Sequence, residues 1–155
     1  MSRTLHLLDS ENLAESSNCT IEAVQHSLAL YTDLFDDSGE DLRIVASSHH
    51  NAEAVFFGSA SISCQRLIKS GQDGADLALI QACKEQIDQL AVTHVVIGSG
   101  DHIFLDLLQE LQARGIQVTV VAIEGQVSTR LMMAANQVFL LPSTQSENGV
   151  NYDAA

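Results

Sequence analysis

The sequence has no tryptophan, one proline, and only seven lysine and arginine residues against twenty aspartate and glutamate residues. The formal charge of −13 argues against a protein that binds nucleic acid over a broad basic surface, because such binding needs lysine and arginine side chains that neutralise phosphates and release their counterions. Nine of the twenty acids lie between Asp9 and Asp41, so the negative charge is concentrated in one segment and a local basic rim can form elsewhere. The three cysteines lack CxxC spacing, so neither a disulfide framework nor a zinc knuckle is predicted.

Long hydrophobic runs are also missing. No stretch approaches the roughly 20 apolar residues of a membrane-spanning helix, and the start MSRTLHLLDSEN turns acidic before a signal-peptide core could form. We therefore expect a cytoplasmic protein with no membrane partner. The length of 155 residues predicts one domain, residues 1–142, followed by a polar and disordered tail, residues 143–155.

Strand-like and helix-like segments alternate along the chain. This order predicts a three-layer α/β/α fold with a mostly parallel sheet of five to six strands. The predicted strands are Thr4–Leu8, LRIVAS, SISCQRLI, HVVIGS, IQVTVVAI and Gln137–Leu141. The predicted helices run from a cap at Thr20 to about Phe35, over NAEAVFFGSA, through ADLALIQACKEQIDQL to Leu90, from a cap at Asp101 to a stop at Gly115, and from a cap at Ser128 to Ala135.

Acidic side chains follow three of the predicted strands. Asp9 and Glu11 follow the first strand, Asp76 opens the helix after the third, and Asp101 follows the fourth. Ligands of parallel α/β sheets bind at the carboxyl ends of the strands, so these acids should share one edge. Carboxylates gathered there repel one another until a hard cation such as Mg²⁺ or Mn²⁺ binds. Each acid also has an ordinary explanation, as a helix cap, a first-turn residue or a turn residue.

Four segments in this order resemble the motifs of NYN domains, a family in the PIN-like ribonuclease superfamily. They are LHLLDSENL, DGADLAL, VVIGSGDHIF with GIQVTVVAI, and STRLMMAANQVFLL, and together they cover about Leu5 to Leu141. The resemblance implies a PIN-like fold and metal-dependent cleavage of RNA. It carries catalytic roles to Asp9, Asp76 and Asp101, and places Asn12 and Ser99 beside them in the substrate site.

One position departs from the family pattern. Many members carry a second acid two residues beyond the Ser-Gly-Asp aspartate, where this chain has Ile103. The predicted metal ligands are Asp9, Glu11, Asp76 and Asp101. Either Glu11 or Asp73 can take the place of the missing acid. Otherwise the site holds one metal weakly, or activity has been lost.

Several other side chains are expected at the acidic edge. Arg66, Lys69 and Arg130 fall near carboxyl ends of strands and are candidates for binding phosphate, with a loose solvated patch as the alternative. Of the histidines at the same edge, His49 and His50 can contact RNA or bind metal, and His102 can lend a proton or bind phosphate. The alternative for all three is an ordinary polar residue. Phe56 and Phe57 are assigned to the core, so no aromatic residue is expected to stack on bases.

The motifs exclude two competing functions and leave two others open. A dinucleotide-binding loop would need glycine at Ile103 and should follow the first strand. An aspartyl-phosphate phosphatase would need the motif Asp-x-Asp after the first strand, and this chain has Glu11 at the position of the second aspartate. A catalytically degenerate NYN-fold protein that regulates or binds protein or RNA stays open, as does a nuclease acting on structured RNA or single-stranded DNA. We also expect a homodimer, since small domains often build a groove across a two-fold axis.

Overall fold

The computed structural model describes residues 3–36 and 39–144. Six strands form one sheet in the order β3-β2-β1-β4-β5-β6, and every neighbouring pair is parallel. The strands are β1 (Arg3–Asp9), β2 (Leu42–Ser47), β3 (Gln65–Ile68), β4 (Val92–Gly98), β5 (Gln117–Ile123) and β6 (Gln137–Leu141). The predicted α/β fold with a parallel sheet is confirmed.

Helices cover both faces of the sheet. They are α1 (Ser10–Leu13), α2 (Ile21–Thr32), α3 (Ala52–Gly58), α4 (Gly74–Gln89), α5 (Leu105–Ala113) and α6 (Thr129–Ala134). One hydrophobic core lies under α4, α5 and α6, and a second lies under α1, α2 and α3. Because both faces are covered, the central strands are apolar on both sides, as in Leu7 and Leu8, which are fully buried in the two different cores.

The predicted caps hold three of the helices. The side chain of Thr20 accepts a hydrogen bond from the backbone of Ala23, and that of Ser128 accepts one from Leu131. Asp101 caps a short 3-10 turn, His102–Phe104, that leads into α5. Gly115, with a φ of +82°, allows the left-handed turn by which the chain leaves α5 for β5.

Three local expectations are corrected. Helix α2 ends at Thr32 rather than near Phe35. Only the last four residues of SISCQRLI form a strand, because the chain after α3 folds into turns in which Ile62 donates to the carbonyl of Ser59. Phe56 and Phe57 are not in the core: they are 53% and 54% exposed, since the short helix α3 buries the opposite side through Val55 and Gly58.

The end of the described chain is tied to the body of the fold. The carboxylate of Glu15, itself at a left-handed φ of +58°, accepts hydrogen bonds from the hydroxyl of Ser143 at 2.6 Å and the backbone of Thr144 at 2.9 Å. The rest of the predicted tail, residues 145–155, lies outside the described residues. None of the helices in the described part of the chain has the length and apolar character needed to span a lipid bilayer.

Candidate active site

Asp9 is the last residue of β1 and lies at the centre of the carboxyl edge of the sheet. Its side chain is 6% exposed. One carboxylate oxygen accepts a hydrogen bond from the hydroxyl of Ser99 at 3.0 Å, and the other accepts one from the backbone of Asn12 at 3.3 Å and so caps α1. These bonds hold the buried carboxylate in place at the carboxyl edge of the sheet.

Asp76 meets Asp9 from the facing helix α4. It lies in the first turn, is 8% exposed, and shares a hydrogen bond with Asp9. Burial and the neighbouring charge of Asp9 raise the pKa of Asp76 to about 9, and burial also raises the pKa of Asp9. Without a cation, the two carboxyl groups therefore retain a proton between them near neutral pH.

Asp73 and Asp101 complete an acidic group around Asp76. One carboxylate oxygen from each of these three residues lies within 4.8 Å of the others. Asp101 follows β4 and is held by a hydrogen bond of 3.0 Å from the backbone of Ile103. Asp73 precedes α4 in a left-handed conformation with a φ of +57°, which is uncommon for a residue with a side chain.

The loop between β4 and α5, which carries Asp101, is bound to α1 and to the loop between β5 and α6. The backbone of Gly100 donates to the side-chain oxygen of Asn12 at 3.2 Å, and its carbonyl accepts from Ser128 at 2.8 Å. A methyl group on Gly100 would lie 2.3 Å from the carbonyl oxygen of Gln126. Only glycine allows this close approach, so Asn12 and Gly100 together position Asp101.

A cavity of about 230 Å³ opens in front of the acids. Its walls come from the ends of β1, β2 and β3 and from the start of α4. The residues that form it are Asp9, Glu11, Asn12, Ser48, Lys69, Gly71, Asp73, Gly74, Ala75 and Asp76. The structure thus brings the predicted residues Asp9, Glu11, Asn12, Lys69 and Asp76 around one space.

Glu11 borders this cavity but turns toward the loop after β2. One oxygen accepts hydrogen bonds from the backbone of Ser48 at 2.8 Å and from its hydroxyl at 2.5 Å. Burial alone would raise the pKa of Glu11, but the hydrogen bonds from Ser48 hold it below its ordinary value. Glu11 lies outside the group formed by Asp73, Asp76 and Asp101. Nothing in the sequence identifies Ser48 as its partner, because 37 positions separate the two residues.

The three predicted phosphate-binding cations occupy different places. Lys69 lies at the cavity. The guanidinium group of Arg66 donates to the hydroxyl of Ser59 at 2.8 Å on the α3 side of the sheet. Arg130 borders a separate open depression between α5 and α6, together with Leu105 and Met133. The structure therefore does not bring all three cations to the acidic cavity.

The histidines near this edge contact loop atoms. His49 is hydrogen bonded to the hydroxyl of Ser70 at 2.7 Å, and His50 to the carbonyl of Ser17 at 2.5 Å. The imidazole of His102 lies 3.3 Å from Asp101 and is 85% exposed. His102 alone among them touches one of the clustered acids.

Two comparisons with known proteins gave a match, one with a family model and one with a crystal structure. The family model described as the NYN domain matches residues 22–142, a range that includes Asp73, Asp76 and Asp101 and begins after Asp9. The crystal structure of a protein of unknown function, VPA0982 from Vibrio parahaemolyticus RIMD 2210633, is similar with a TM-score of 0.63 and 19% identity, over 90% of this chain and 93% of that chain. This likeness supports the fold. No curated protein matches the sequence significantly.

Proposed function

Because the chain belongs to the NYN domain family, a group of PIN-like nuclease-type domains, we propose that it is a Mg²⁺- or Mn²⁺-dependent ribonuclease that hydrolyses RNA phosphodiester bonds. The observation that carries the proposal is the acidic group at the carboxyl edge of the sheet. Three carboxylates converge within 4.8 Å, and a fourth, Asp9, is hydrogen bonded to one of them. The cavity in front of them is open to a substrate.

The donor set fits a hard divalent cation. Mg²⁺ and Mn²⁺ favour carboxylate oxygens, and a bound ion would relieve the repulsion that now holds a proton on Asp76. When bound, the ion supplies an activated water and stabilises the leaving oxygen. Asp73, Asp76 and Asp101 would hold it, with Asp9 beside them. Asp73 takes the place of the acid that is missing at Ile103, since a carboxylate oxygen of Asp73 lies within 4.8 Å of those of Asp76 and Asp101.

The surrounding residues position the acids and the substrate. Ser99 fixes the rotamer of Asp9 through its hydrogen bond, and Asn12 fixes the loop that carries Asp101. Lys69 is the cation at the cavity, and it forms no ion pair with any acid among residues 3–36 and 39–144. Its ammonium group is therefore available to bind a phosphate of the substrate.

The proposal is tested by cleavage of a mixed single-stranded RNA pool with Mn²⁺ or Mg²⁺. We expect cleavage that chelation abolishes and that Asp9→Asn and Asp101→Asn each lower by about a hundredfold or more. Asp88→Asn is the matched control, because Asp88 pairs with Arg114 on the surface far from the cavity. Activity that survives chelation, or that survives both site substitutions, would contradict the proposed mechanism.

A non-catalytic NYN-fold module is the second candidate, and one specific observation favours it. Ile103 packs against the core in place of the second acid of the family pattern. Calorimetry with Mn²⁺ separates the two functions. Binding of Mn²⁺ that Asp73→Asn weakens supports the ribonuclease, whereas an absence of both metal binding and RNA cleavage supports the module.

A further inference from the structure

Two aromatic rings lie side by side on the surface of α3. Phe56 and Phe57 are more than half exposed, and their ring centroids are 5.2 Å apart with the planes perpendicular. The fold does not need them there, because Val55 and Gly58 already supply the buried side of α3. Exposed neighbouring rings in a protein with 5% aromatic residues indicate a binding surface.

A cation accompanies the rings. The guanidinium carbon of Arg66 lies 5.1 Å from the ring centroid of Phe56, and Ser59 holds the group in place with two hydrogen bonds. Neither Arg66 nor Lys69 forms an ion pair with a described acid, whereas Arg3, Lys84 and Arg114 each do. In a chain with a net charge of −13, a guanidinium group that lies beside an exposed ring and has no ion-pair partner among the described acids favours an anionic partner.

This surface is close to the acidic cavity. Arg66 pairs with Val45 of β2, which faces the core under α1, α2 and α3, whereas Asp9 pairs with the next residue, Ala46, which faces the core under α4, α5 and α6. The side chains of Arg66 and Asp9 therefore leave opposite faces of the sheet, and the backbone of Arg66 lies one row below that of Asp9 and two strands away. At the usual strand spacing that separation is about 10 Å. Lys69 follows the same strand β3 into the cavity itself. Because Lys69 lies at the carboxyl end of β3, a chain of several nucleotides that crosses this end of the sheet can touch both places.

We propose that Phe56, Phe57, Arg66 and Lys69 form an aromatic ledge that binds single-stranded RNA and leads it into the acidic cavity. The inference rests on the proposed ribonuclease function and narrows its substrate. Aromatic rings stack on the faces of unpaired bases, and cations beside them hold the phosphates. A duplex keeps its base faces buried in its own stack, so the ledge selects against it. A second copy of the chain fits less well, because it brings the same charge of −13.

Binding to labelled RNA tests the ledge without cleavage. The Kd for a single-stranded RNA of about twelve nucleotides is measured by fluorescence anisotropy with a chelator present. We expect Phe56→Ala and Phe57→Ala each to raise the Kd about tenfold, and Phe57→Trp to keep it within about threefold of wild type. Leu140→Ala is the control, since Leu140 is a 47% exposed apolar residue on β6, at the other edge of the sheet, and should leave the Kd unchanged.

The outcomes separate this inference from the proposed function. Tight RNA binding that needs both rings, without any metal-dependent cleavage, would uphold the ledge and remove the ribonuclease. Cleavage with an unchanged Kd in Phe56→Ala and Phe57→Ala would overturn the ledge alone, as would equal affinity for a duplex of the same length. Sedimentation that shows a wild-type dimer and a monomeric double alanine variant would assign the rings to self-association and also overturn it.

Discussion

The hydroxyl of Ser99 donates a hydrogen bond to Asp9 across 3.0 Å, although 90 positions of chain separate the two residues. Parallel pairing of β1 with β4 produces this contact, since Leu8 lies opposite Gly98 and the chain leaves both strands at the same edge. The same hydroxyl accepts a hydrogen bond from the backbone of Asp101 at 3.2 Å. Ser99 thereby links two of the acids on which the proposed activity depends.

Ser99→Ala tests that link. The substitution leaves a buried oxygen of Asp9 and the backbone of Asp101 without their partner, so we expect the free energy of unfolding to fall by about 1–3 kcal/mol and Mn²⁺-dependent cleavage to fall as well. Urea denaturation and RNA cleavage measure the two effects. Ser27→Ala removes another buried hydroxyl, within α2, and should leave cleavage intact. Equal effects of both substitutions on cleavage would refute a role for Ser99 at the site.

The raised pKa of Asp76 predicts how stability changes with pH in the metal-free protein. Between its unfolded pKa near 3.8 and its folded pKa of about 9, the unfolded chain loses this proton while the folded chain retains it, so stability falls as pH rises. With a chelator present, the wild type should lose stability from about pH 7 to about pH 8.5, and Asp76→Asn should remove most of that loss. Urea midpoints at the two pH values measure it, and parallel slopes in both proteins would contradict the shared proton.

Gly100→Ala tests the close approach of two loops. The new methyl group would meet the carbonyl oxygen of Gln126 at 2.3 Å, so the loop that carries Asp101 must move. We expect weaker Mn²⁺ binding by calorimetry together with lower stability. Gly115→Ala is the matched control. An alanine at its φ of +82° costs about 1–2 kcal/mol of stability, but Gly115 lies away from the acids with open space around it, so Mn²⁺ affinity should not change. Unchanged Mn²⁺ affinity in Gly100→Ala would show that this loop does not need its present position.

Tyr31→Phe tests a buried polar group that lies away from the acidic edge. The hydroxyl of Tyr31 is 2.6 Å from His6, whose other ring nitrogen is 3.1 Å from Asp41. Loss of the hydroxyl should lower the free energy of unfolding by about 1 kcal/mol and leave RNA cleavage at its wild-type rate. Thermal denaturation and the cleavage assay provide the measurements. A cleavage rate lowered tenfold would show that this end of the sheet also contributes to activity.

Most of the fold was predictable because its signals are local. Alternating apolar segments located all six strands, and the short capping residues Thr20, Asp101 and Ser128 marked where helical turns begin. The exposed rings of Phe56 and Phe57 could not be predicted in the same way. Hydrophobicity alone assigned them to the core, whereas the orientation of a two-turn helix on the sheet decided which side faces solvent.

By itself, the sequence determined that buried parallel strands end in acids, since strand periodicity and the polarity of a parallel α/β sheet are properties of short segments. Only the tertiary structure decided which acids meet. Asp73 joins Asp76 and Asp101 through the left-handed turn before α4, while Glu11 is bound by Ser48 from the next loop. Both results depend on distances between chain segments far apart in sequence, and those distances are set by strand order and helix packing.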